Sequence, residues 1–284
     1  MAKLSHGVFL IAALALGGCV AGAKPDDRLN ATLWMQQSAE YKATAEAVYA
    51  LAAKRLDEAL ADKAWTATPD VQQAGYENLP PAIILDADET VLDNSPYQAW
   101  MVAKGKTYSD PTWNAWAGAG EAGAVAGAVA FTNAAAAKGV KVFYVTNRDA
   151  GVEVGTVQNL FNLGFPIEAT RDGNSDEAMM KNEKPDWTSA KGTRRAAVAA
   201  HYRVLLLLGD NLGDFVDGYK AAPAERQAVY DANAAHWGRD WLMLPNPAYG
   251  SWEDSAFGFD YKLPEKEKRR LKREQLAPWA GPSE

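Results

Sequence analysis

Two aspartates that directly follow a short apolar run constrain this chain more than any other feature. Residues 82–85 are Ala-Ile-Ile-Leu, and Asp86 and Asp88 come next. An apolar run of this length, bounded by Pro80-Pro81 and by an acidic turn, predicts a buried strand of a parallel sheet. In open α/β sheets, ligands bind just beyond the carboxyl ends of such strands. We therefore expect Asp86 and Asp88 to lie at a functional site.

Carboxylates two residues apart repel each other, so ionising both in a partly buried place requires a cation or hydrogen bonds. Mg²⁺ is the expected cation because it prefers carboxylate, carbonyl and water oxygens. A solvated acidic turn and a calcium loop are the alternatives. An EF-hand loop starting at Asp86 is disfavoured, because Val91 occupies the sixth position, where such loops need glycine.

The rest of the chain predicts strands that alternate with helices. Further apolar strands are expected at residues 140–145, 204–208 and 241–244, and helices at 124–138, 152–162, 189–201 and 223–236. This alternation predicts an α/β fold with a doubly wound parallel sheet. Residues 30–284 would form this single domain.

Three further segments are expected to build a small helical cap on the domain. They are one long helix over residues 30–61 that Asn30 caps, an aromatic-rich insertion over residues 97–120, and a basic helix over residues 264–276. Where the insertion ends, the residues from Gly118 to Gly123 match a dinucleotide fingerprint by their letters. Because no strand precedes these glycines, we interpret them as a loop that opens the next helix. Residues 170–186 predict a polar, irregular segment.

The amino terminus predicts an export signal. Residues 1–18 contain Lys3, an apolar stretch too short to span a bilayer, and small residues just before Cys19. This resembles the lipobox of bacterial lipoproteins, which implies that Cys19 is lipidated and that residues 19–29 form a tether. Val20 and Ala21 follow instead of the Asp that resembles an inner-membrane retention signal, so an outer-membrane lipoprotein is expected. An ordinary secretory signal before an unrelated cysteine is the alternative; Cys19 is the only cysteine, so no internal disulfide forms.

Polar residues also follow the second and third predicted strands. Thr146 and Arg148 follow the second, Asp210 and Asp214 follow the third, and a basic cluster around Lys191 lies between. If these strands are neighbours, the groups converge with Asp86 and Asp88 into a site for an anionic, oxygen-rich group, of which phosphate is the natural candidate.

Each of these groups then has an expected role. Asp86 attacks phosphorus and Asp88 acts as general acid and base. Mg²⁺ is held by Asp86, the backbone carbonyl of Asp88 and Asp210, and Asp214 orients its shell. Thr146 and Lys191 hold the phosphate oxygens.

Two assignments around the phosphate have alternatives. Lys191 is preferred to Lys184 and Lys181 because it opens a helix that continues with two arginines. Asn147 and Arg148 are expected to shape the phosphate pocket. Alternatively, Arg148 forms an ion pair with Asp93 or Asp149.

Four strings carry a family resemblance. They are Leu-Asp-Ala-Asp-Glu-Thr-Val-Leu-Asp-Asn-Ser-Pro-Tyr (85–97), Phe-Tyr-Val-Thr-Asn-Arg (143–148), Gly-Asp-Asn-Leu-Gly-Asp-Phe (209–215) and Leu-Pro-Asn-Pro-Ala-Tyr-Gly-Ser-Trp-Glu (244–253). With the downstream lysine, they resemble the class C, bacterial lipoprotein branch of the haloacid dehalogenase (HAD) superfamily of phosphatases. The resemblance implies a Mg²⁺-dependent acid phosphatase, often a 5′-nucleotidase acting on nucleoside monophosphates. It also implies that Tyr108 and Tyr249 sandwich the base, although both tyrosines have a purely structural alternative.

Several other functions are excluded or remain open. The mature chain holds only two histidines, too few for a multi-histidine dinuclear site, and it contains no Gly-x-Ser-x-Gly or Walker A string. The net charge of −7 argues against a nucleic-acid polymer as partner. A phosphotransferase acting on alcohols, a nucleotide- or haem-binding lipoprotein without turnover, and a homodimeric assembly all remain open.

Overall fold

The computed structural model describes residues 26–282 of the chain. The predicted signal peptide, Cys19 and most of the predicted tether lie outside these residues. Across residues 26–282, no helix has both the length and the apolar character that a bilayer crossing demands.

A parallel sheet is the central layer. The described residues form strands β1 (Pro81–Leu85), β2 (Leu92–Asp93), β3 (Gly123–Ala124), β4 (Lys141–Asp149), β5 (Ala178–Lys181), β6 (Arg203–Gly209) and β7 (Trp241–Met243). Five of them lie in the order β5-β4-β1-β6-β7, and every neighbouring pair is parallel. Strands β2 and β3 form a separate antiparallel ribbon. The predicted parallel α/β sheet is confirmed, and β1 is its central strand.

Helices cover both faces of the sheet. They are α1 (Leu29–Gln37), α2 (Ala39–Ala61), α3 (Ser95–Lys104), α4 (Asp110–Ala119), α5 (Ala128–Ala137), α6 (Glu153–Asn162), α7 (Gly192–Ala199), α8 (Leu212–Phe215), α9 (Pro223–Ala232), α10 (Ser251–Asp254) and α11 (Glu265–Glu274), with 3₁₀ turns at Ala150–Val152 and Ser255–Phe257.

Side chains of the central strand alternate between two hydrophobic cores. Ile83 and Leu85 join the core that α2, α5 and α6 cover. Ala82 and Ile84 join the core that contains α7 and Trp241. Because successive strand residues point to opposite faces, a strand that is apolar throughout requires cover on both sides. The result is a three-layer α/β/α domain.

The prediction of one helix over residues 30–61 was wrong. The chain breaks at Ser38, whose ψ of 140° is extended, and α1 and α2 lie on either side of it. The Ser38 hydroxyl accepts a hydrogen bond from the Tyr41 backbone N–H at 3.0 Å and so caps α2. Asn30 lies inside α1 and is not its cap.

Two further predicted segments differ in the structure. Residues 170–186 are not wholly irregular, because they contain β5, which pairs with the longer β4. The glycine-rich stretch is not one loop either, since Gly118 lies in α4 and Gly123 lies in β3. Short segments like these form because neighbours offer hydrogen bonds, which a local pattern does not reveal.

The predicted insertion consists of α3 and α4. Helix α1 packs against α3, and α4 packs against α6. The contact of α4 with α6 is close, because a Cβ on Gly155 would lie 2.8 Å from both the carbonyl carbon and the Cα of Gly118. At the other end of the chain, Arg269 and Lys272 of α11 pair with Asp27 at 3.0 Å each.

Candidate active site

The predicted residues meet at the carboxyl edge of the sheet. Strands β4 and β6 flank β1, so the ends of all three strands lie side by side. The Asp86 backbone N–H continues the ladder by donating to the Leu208 carbonyl of β6 at 2.9 Å. Strand β4 runs beyond β1 to Asp149, which places Thr146 and Arg148 in its last residues.

Three aspartates form an acidic cluster at this edge. One carboxylate oxygen each of Asp86, Asp210 and Asp214 lies within 4.8 Å of the others. Asp214 approaches closely because β6 ends in glycine: a Cβ on Gly209 would lie 2.6 Å from the Asp214 carboxyl carbon. Asp214 also accepts a hydrogen bond from the Asn211 backbone N–H at 2.9 Å, which anchors it at the start of α8.

Lys191 lies against this cluster. Its Nζ forms ion pairs with Asp86 and, at 2.7 Å, with Asp214, and all three side chains are buried. Burial disfavours the charged amine, but Asp214 and Asp86 outweigh it, so the pKa of Lys191 lies above its ordinary value. The structure thus brings Lys191 to the predicted phosphate site.

Three carboxylates face one ammonium group in the cluster. Burial, opposed by Lys191, raises the pKa of Asp86 to about 7, with Asp214 and Asp88 adding to the rise. Burial, together with Asp214 and Asp86, also raises the pKa of Asp210 above its ordinary value. The cluster is therefore short of positive charge, and its oxygen donors fit a divalent cation such as Mg²⁺.

Asp88 lies beside the cluster but has its own partners. Its Oδ1 accepts hydrogen bonds from Arg148 Nε and from Asn94 Nδ2, both at 2.9 Å. Its Oδ2 lies 3.4 Å from the Thr146 hydroxyl. Within the described chain, the Asp88 carboxylate does not belong to the group of three that surrounds one point.

Arg148 is fully buried and belongs to the Asp88 network. It donates to Asn94 Oδ1 at 3.1 Å and to the Thr156 hydroxyl at 3.2 Å. The expected alternatives, Asp93 and Asp149, are instead hydrogen-bonded to backbone N–H groups of Ser95 and Gly151. The structure therefore pairs the buried Arg148 with Asp88 and not with Asp93 or Asp149.

Asn147 is held at both ends of its amide. Its Oδ1 accepts from Arg194 at 2.7 Å, and its Nδ2 donates to the Ser189 carbonyl at 3.0 Å. The buried Arg194 also donates to the Thr146 carbonyl. These bonds fix the end of β4 to the segment that carries Lys191.

The two predicted base-stacking tyrosines have different surroundings. Tyr108 is 56% exposed in the insertion, and its hydroxyl donates to Asp110 at 3.0 Å. Tyr249 is partly buried, packs beside Met35, Tyr41 and Ala248, and donates its hydroxyl to Glu89. The structure thus places Tyr249 directly beside the acidic loop, which we define as residues 86–91 between β1 and β2.

Sequence reasoning missed three residues that organise the site. Glu89 is fully buried and its pKa is raised to about 8 by burial and by the Asp88 charge. Asn94 connects Asp88 to Arg148, and Asn246 donates to Asp210 Oδ2 at 2.8 Å. All three lie in the strings that carried the family resemblance, so their position there was the available signal.

The fold and the site together define a phosphatase of the HAD type. The family model of the HAD superfamily, subfamily IIIB (acid phosphatase), matches residues 23–252. Two solved structures of the class C acid phosphatase from Bacillus anthracis are 32% identical over 89% of this chain and 97% of theirs, with TM-scores of 0.76 and, for the tungstate-bound form, 0.77. The chain belongs to the subfamily IIIB acid phosphatases of the HAD superfamily, and its activity is that of a phosphomonoesterase acting on small phosphate esters.

Proposed function

We propose that the chain hydrolyses nucleoside 5′-monophosphates in a Mg²⁺-dependent reaction that passes through an aspartyl-phosphate on Asp86. The observation that carries the proposal is the place of Asp86. Its carboxylate lies buried at the end of the central strand, paired with Lys191 and adjoining Asp210 and Asp214. An anionic nucleophile reaches a phosphate dianion only where positive charge compensates both.

The first half-reaction uses the two aspartates of the acidic loop. An Asp86 oxygen attacks phosphorus while the bond from phosphorus to the ester oxygen breaks. Asp88 donates its proton to that leaving oxygen, and the alcohol departs.

The second half-reaction restores the enzyme. Asp88, now a carboxylate, takes a proton from a water molecule, which attacks phosphorus. The bond from phosphorus to Asp86 breaks, and inorganic phosphate leaves. Because Arg148 and Asn94 occupy Asp88 Oδ1, its Oδ2 is the oxygen left for both proton transfers.

The remaining polar groups neutralise and orient the phosphate. Lys191 and the Thr146 hydroxyl hold its equatorial oxygens. Asp86 and Asp210 would hold Mg²⁺, with Asp214 supporting the same shell. When bound, Mg²⁺ lowers the repulsion between the nucleophile and the dianion. The tungstate bound in the Bacillus anthracis structure supports the proposal, because tungstate is a tetrahedral oxyanion like phosphate.

A substitution at the nucleophile tests the mechanism. Asp86→Asn keeps the shape of the side chain, so we expect it to fold and to lose Mg²⁺-dependent phosphate release. Asp231→Asn, at an exposed position of α9, is the matched control and should retain full activity. Activity that survives in Asp86→Asn excludes Asp86 as the nucleophile. In a separate experiment, acid quenching of the wild type during turnover should yield a phosphorylated peptide that contains Asp86.

Metal dependence and transfer are tested with the same assay. Chelation should abolish phosphate release, and added Mg²⁺ should restore it. Full activity after chelation would contradict the metal assignment. If the enzyme is a hydrolase, adding an acceptor alcohol should leave the yield of inorganic phosphate unchanged. Formation of a new phosphoester of that alcohol would identify a transferase instead.

The nucleotide preference rests on the aromatic residues of the site. Stacking on an aromatic ring contributes about 1–3 kcal/mol per base and tolerates every base. Two observations support the preference: Tyr249 donates its hydroxyl to Glu89, and Tyr108 is exposed in the insertion. A higher kcat/KM for nucleoside 5′-monophosphates than for glycerol phosphate is the expected result, and equal values would refute the preference.

We further propose that the chain is a lipoprotein of the outer membrane, anchored through Cys19. The proposal is supported by the lipobox-like string ahead of the only cysteine. In cells fed with labelled fatty acid, the wild type should be labelled and found with the outer membrane. Labelling of Cys19→Ser at the wild-type level would refute the anchor.

A further inference from the structure

Glu89 is a buried acid that the reaction steps above do not use. Its backbone is held at φ +56°, in the left-handed region that non-glycine residues seldom occupy. Such a conformation persists only where the surrounding contacts impose it, and it concentrates at functional sites. Glycine would fit this turn without strain, so the reason for a glutamate lies in its side chain.

The Glu89 carboxylate connects two sides of the active site. Its Oε1 accepts from the Asn94 backbone N–H at 2.9 Å. Its Oε2 accepts from Asn94 Nδ2 at 3.3 Å and from the Tyr249 hydroxyl. Asn94 is also the residue that binds Asp88 Oδ1. One carboxylate thus ties Tyr249 to the support of the proposed acid/base.

Tyr249 is held at its backbone as well. Its N–H donates to Asn246 Oδ1 at 3.3 Å, while Asn246 Nδ2 binds Asp210 at 2.8 Å. Tyr249 is therefore linked through Asn246 to Asp210 and through Glu89 to Asn94, the partner of Asp88. It also packs beside Met35 and Ala248, and it is only partly buried.

We propose that Glu89 is a positioning residue: it fixes the Tyr249 ring beside the reacting carboxylates, and the fixed ring selects phosphomonoesters whose alcohol carries a flat aromatic group. The inference rests on the proposed nucleotide preference and explains what imposes it. A ring without this tether must be ordered each time a substrate binds, which weakens binding of an aromatic alcohol about 3- to 10-fold. A substrate with no aromatic group does not gain from the ordered ring.

The test compares kcat/KM for a nucleoside 5′-monophosphate with kcat/KM for glycerol phosphate. Tyr249→Phe removes only the hydroxyl, and its ratio of the two values should fall about 3- to 10-fold, through a higher KM for the nucleotide. Tyr261→Phe is the matched control, since its hydroxyl also donates to a carboxylate, Asp254, at 2.9 Å outside the site. Its ratio should equal that of the wild type.

Variants of Glu89 test the tether itself. Glu89→Ala should lower the ratio as Tyr249→Phe does, and Glu89→Gln should restore part of it, because its amide can still bond the phenol. The double variant Glu89→Ala/Tyr249→Phe should show no further fall in the ratio. If Glu89→Ala does not fold, Tyr249→Phe decides the question alone.

The possible failures are distinguishable. A wild type whose ratio is near one overturns the nucleotide preference and this inference together. A wild-type preference that Tyr249→Phe retains, or additive losses in the double variant, overturns the inference alone and leaves the proposed function standing.

Discussion

Helices α4 and α6 touch through two glycines, and the two positions make a sharp test of how the insertion supports the site. Gly155→Ala places a methyl group 2.8 Å from the carbonyl carbon and the Cα of Gly118. Carbon atoms in favourable contact lie about 3.5–4.0 Å apart, so the helices must separate by roughly 1 Å. Backbone atoms on the opposing helix cannot rotate away, so the helices themselves have to move.

Two opposing contributions determine how Gly155→Ala changes the free energy of unfolding. Overpacking of this kind costs about 1–3 kcal/mol. Alanine gains about 0.5–1 kcal/mol over glycine inside a helix. We therefore expect Gly155→Ala to lose about 1–2 kcal/mol in the free energy of unfolding. With a urea m-value of about 3 kcal/mol/M, the midpoint falls by about 0.3–0.7 M.

Gly118→Ala is the matched control from the same interface. A methyl group there would meet only Val152 Cγ1, at an ordinary contact distance of 3.7 Å. This variant should be as stable as the wild type or gain up to about 1 kcal/mol. Urea unfolding followed by fluorescence measures both variants under the same conditions.

Activity should follow stability in this pair. Helix α4 carries Trp116, whose indole N–H donates to Asn94 Oδ1 at 2.8 Å, and Asn94 in turn holds Asp88. Gly155→Ala should therefore also lower kcat several-fold, while Gly118→Ala should not. A Gly155→Ala midpoint equal to or above that of Gly118→Ala would refute the reasoning, since it would mean that the close contact does not exist.

Three further predictions concern the site and its supports. Lys191→Met leaves the buried carboxylates without their ammonium partner, so phosphate release should fall at least about a hundredfold and the free energy of unfolding by about 3–5 kcal/mol; an active, equally stable variant would contradict this. Gly209→Ala drives a methyl group against Asp214 and displaces that carboxylate from the acidic cluster. Half-maximal activity should then require a higher Mg²⁺ concentration than in the wild type, and an unchanged requirement would contradict metal binding by the cluster. The hydrogen bond from the Gly151 backbone N–H is the largest cause that lowers the pKa of the Asp149 carboxyl. The ionised carboxylate therefore stabilises the fold at neutral pH, and this contribution is lost as the pH falls through the lowered pKa. The difference in the free energy of unfolding between wild type and Asp149→Ala is at most about 1 kcal/mol at pH 7. It should shrink when urea unfolding is repeated at acid pH, and a constant or growing difference would show that the ionised Asp149 carboxylate does not stabilise the fold.

Much of the site was predictable because parallel strands end at a common edge of the sheet. Apolar strands that alternate with helices must lie parallel, and their carboxyl ends then share one edge. This rule places Asp86, Asp210 and Thr146 at one edge, and they meet because β4 and β6 flank β1, an order that the sequence left open. Lys191 needed more, because its helix begins after a long connection, and the basic residues around it were the guide.

The remaining features depend on contacts that no local pattern contains. Ser38 lies within a run that favours helix throughout, and only the observed extended backbone shows that it caps a second helix. Strand β5 has four residues and exists because β4 continues beside it. The hydrogen bond between Glu89 and Tyr249 joins residues far apart in sequence. It also depends on a positive φ at Glu89, which is not predicted for a glutamate.

The position of β1 has a consequence for folding. It pairs with β4 on one side and β6 on the other, and β6 ends roughly 120 residues later in the chain. Until β6 pairs with it, the apolar strand that leads to Asp86 has an open edge, so a partly folded chain is exposed to mispairing there. Strand β1 is the first strand of the sheet in chain order, and it is enclosed only when the much later β6 pairs with it.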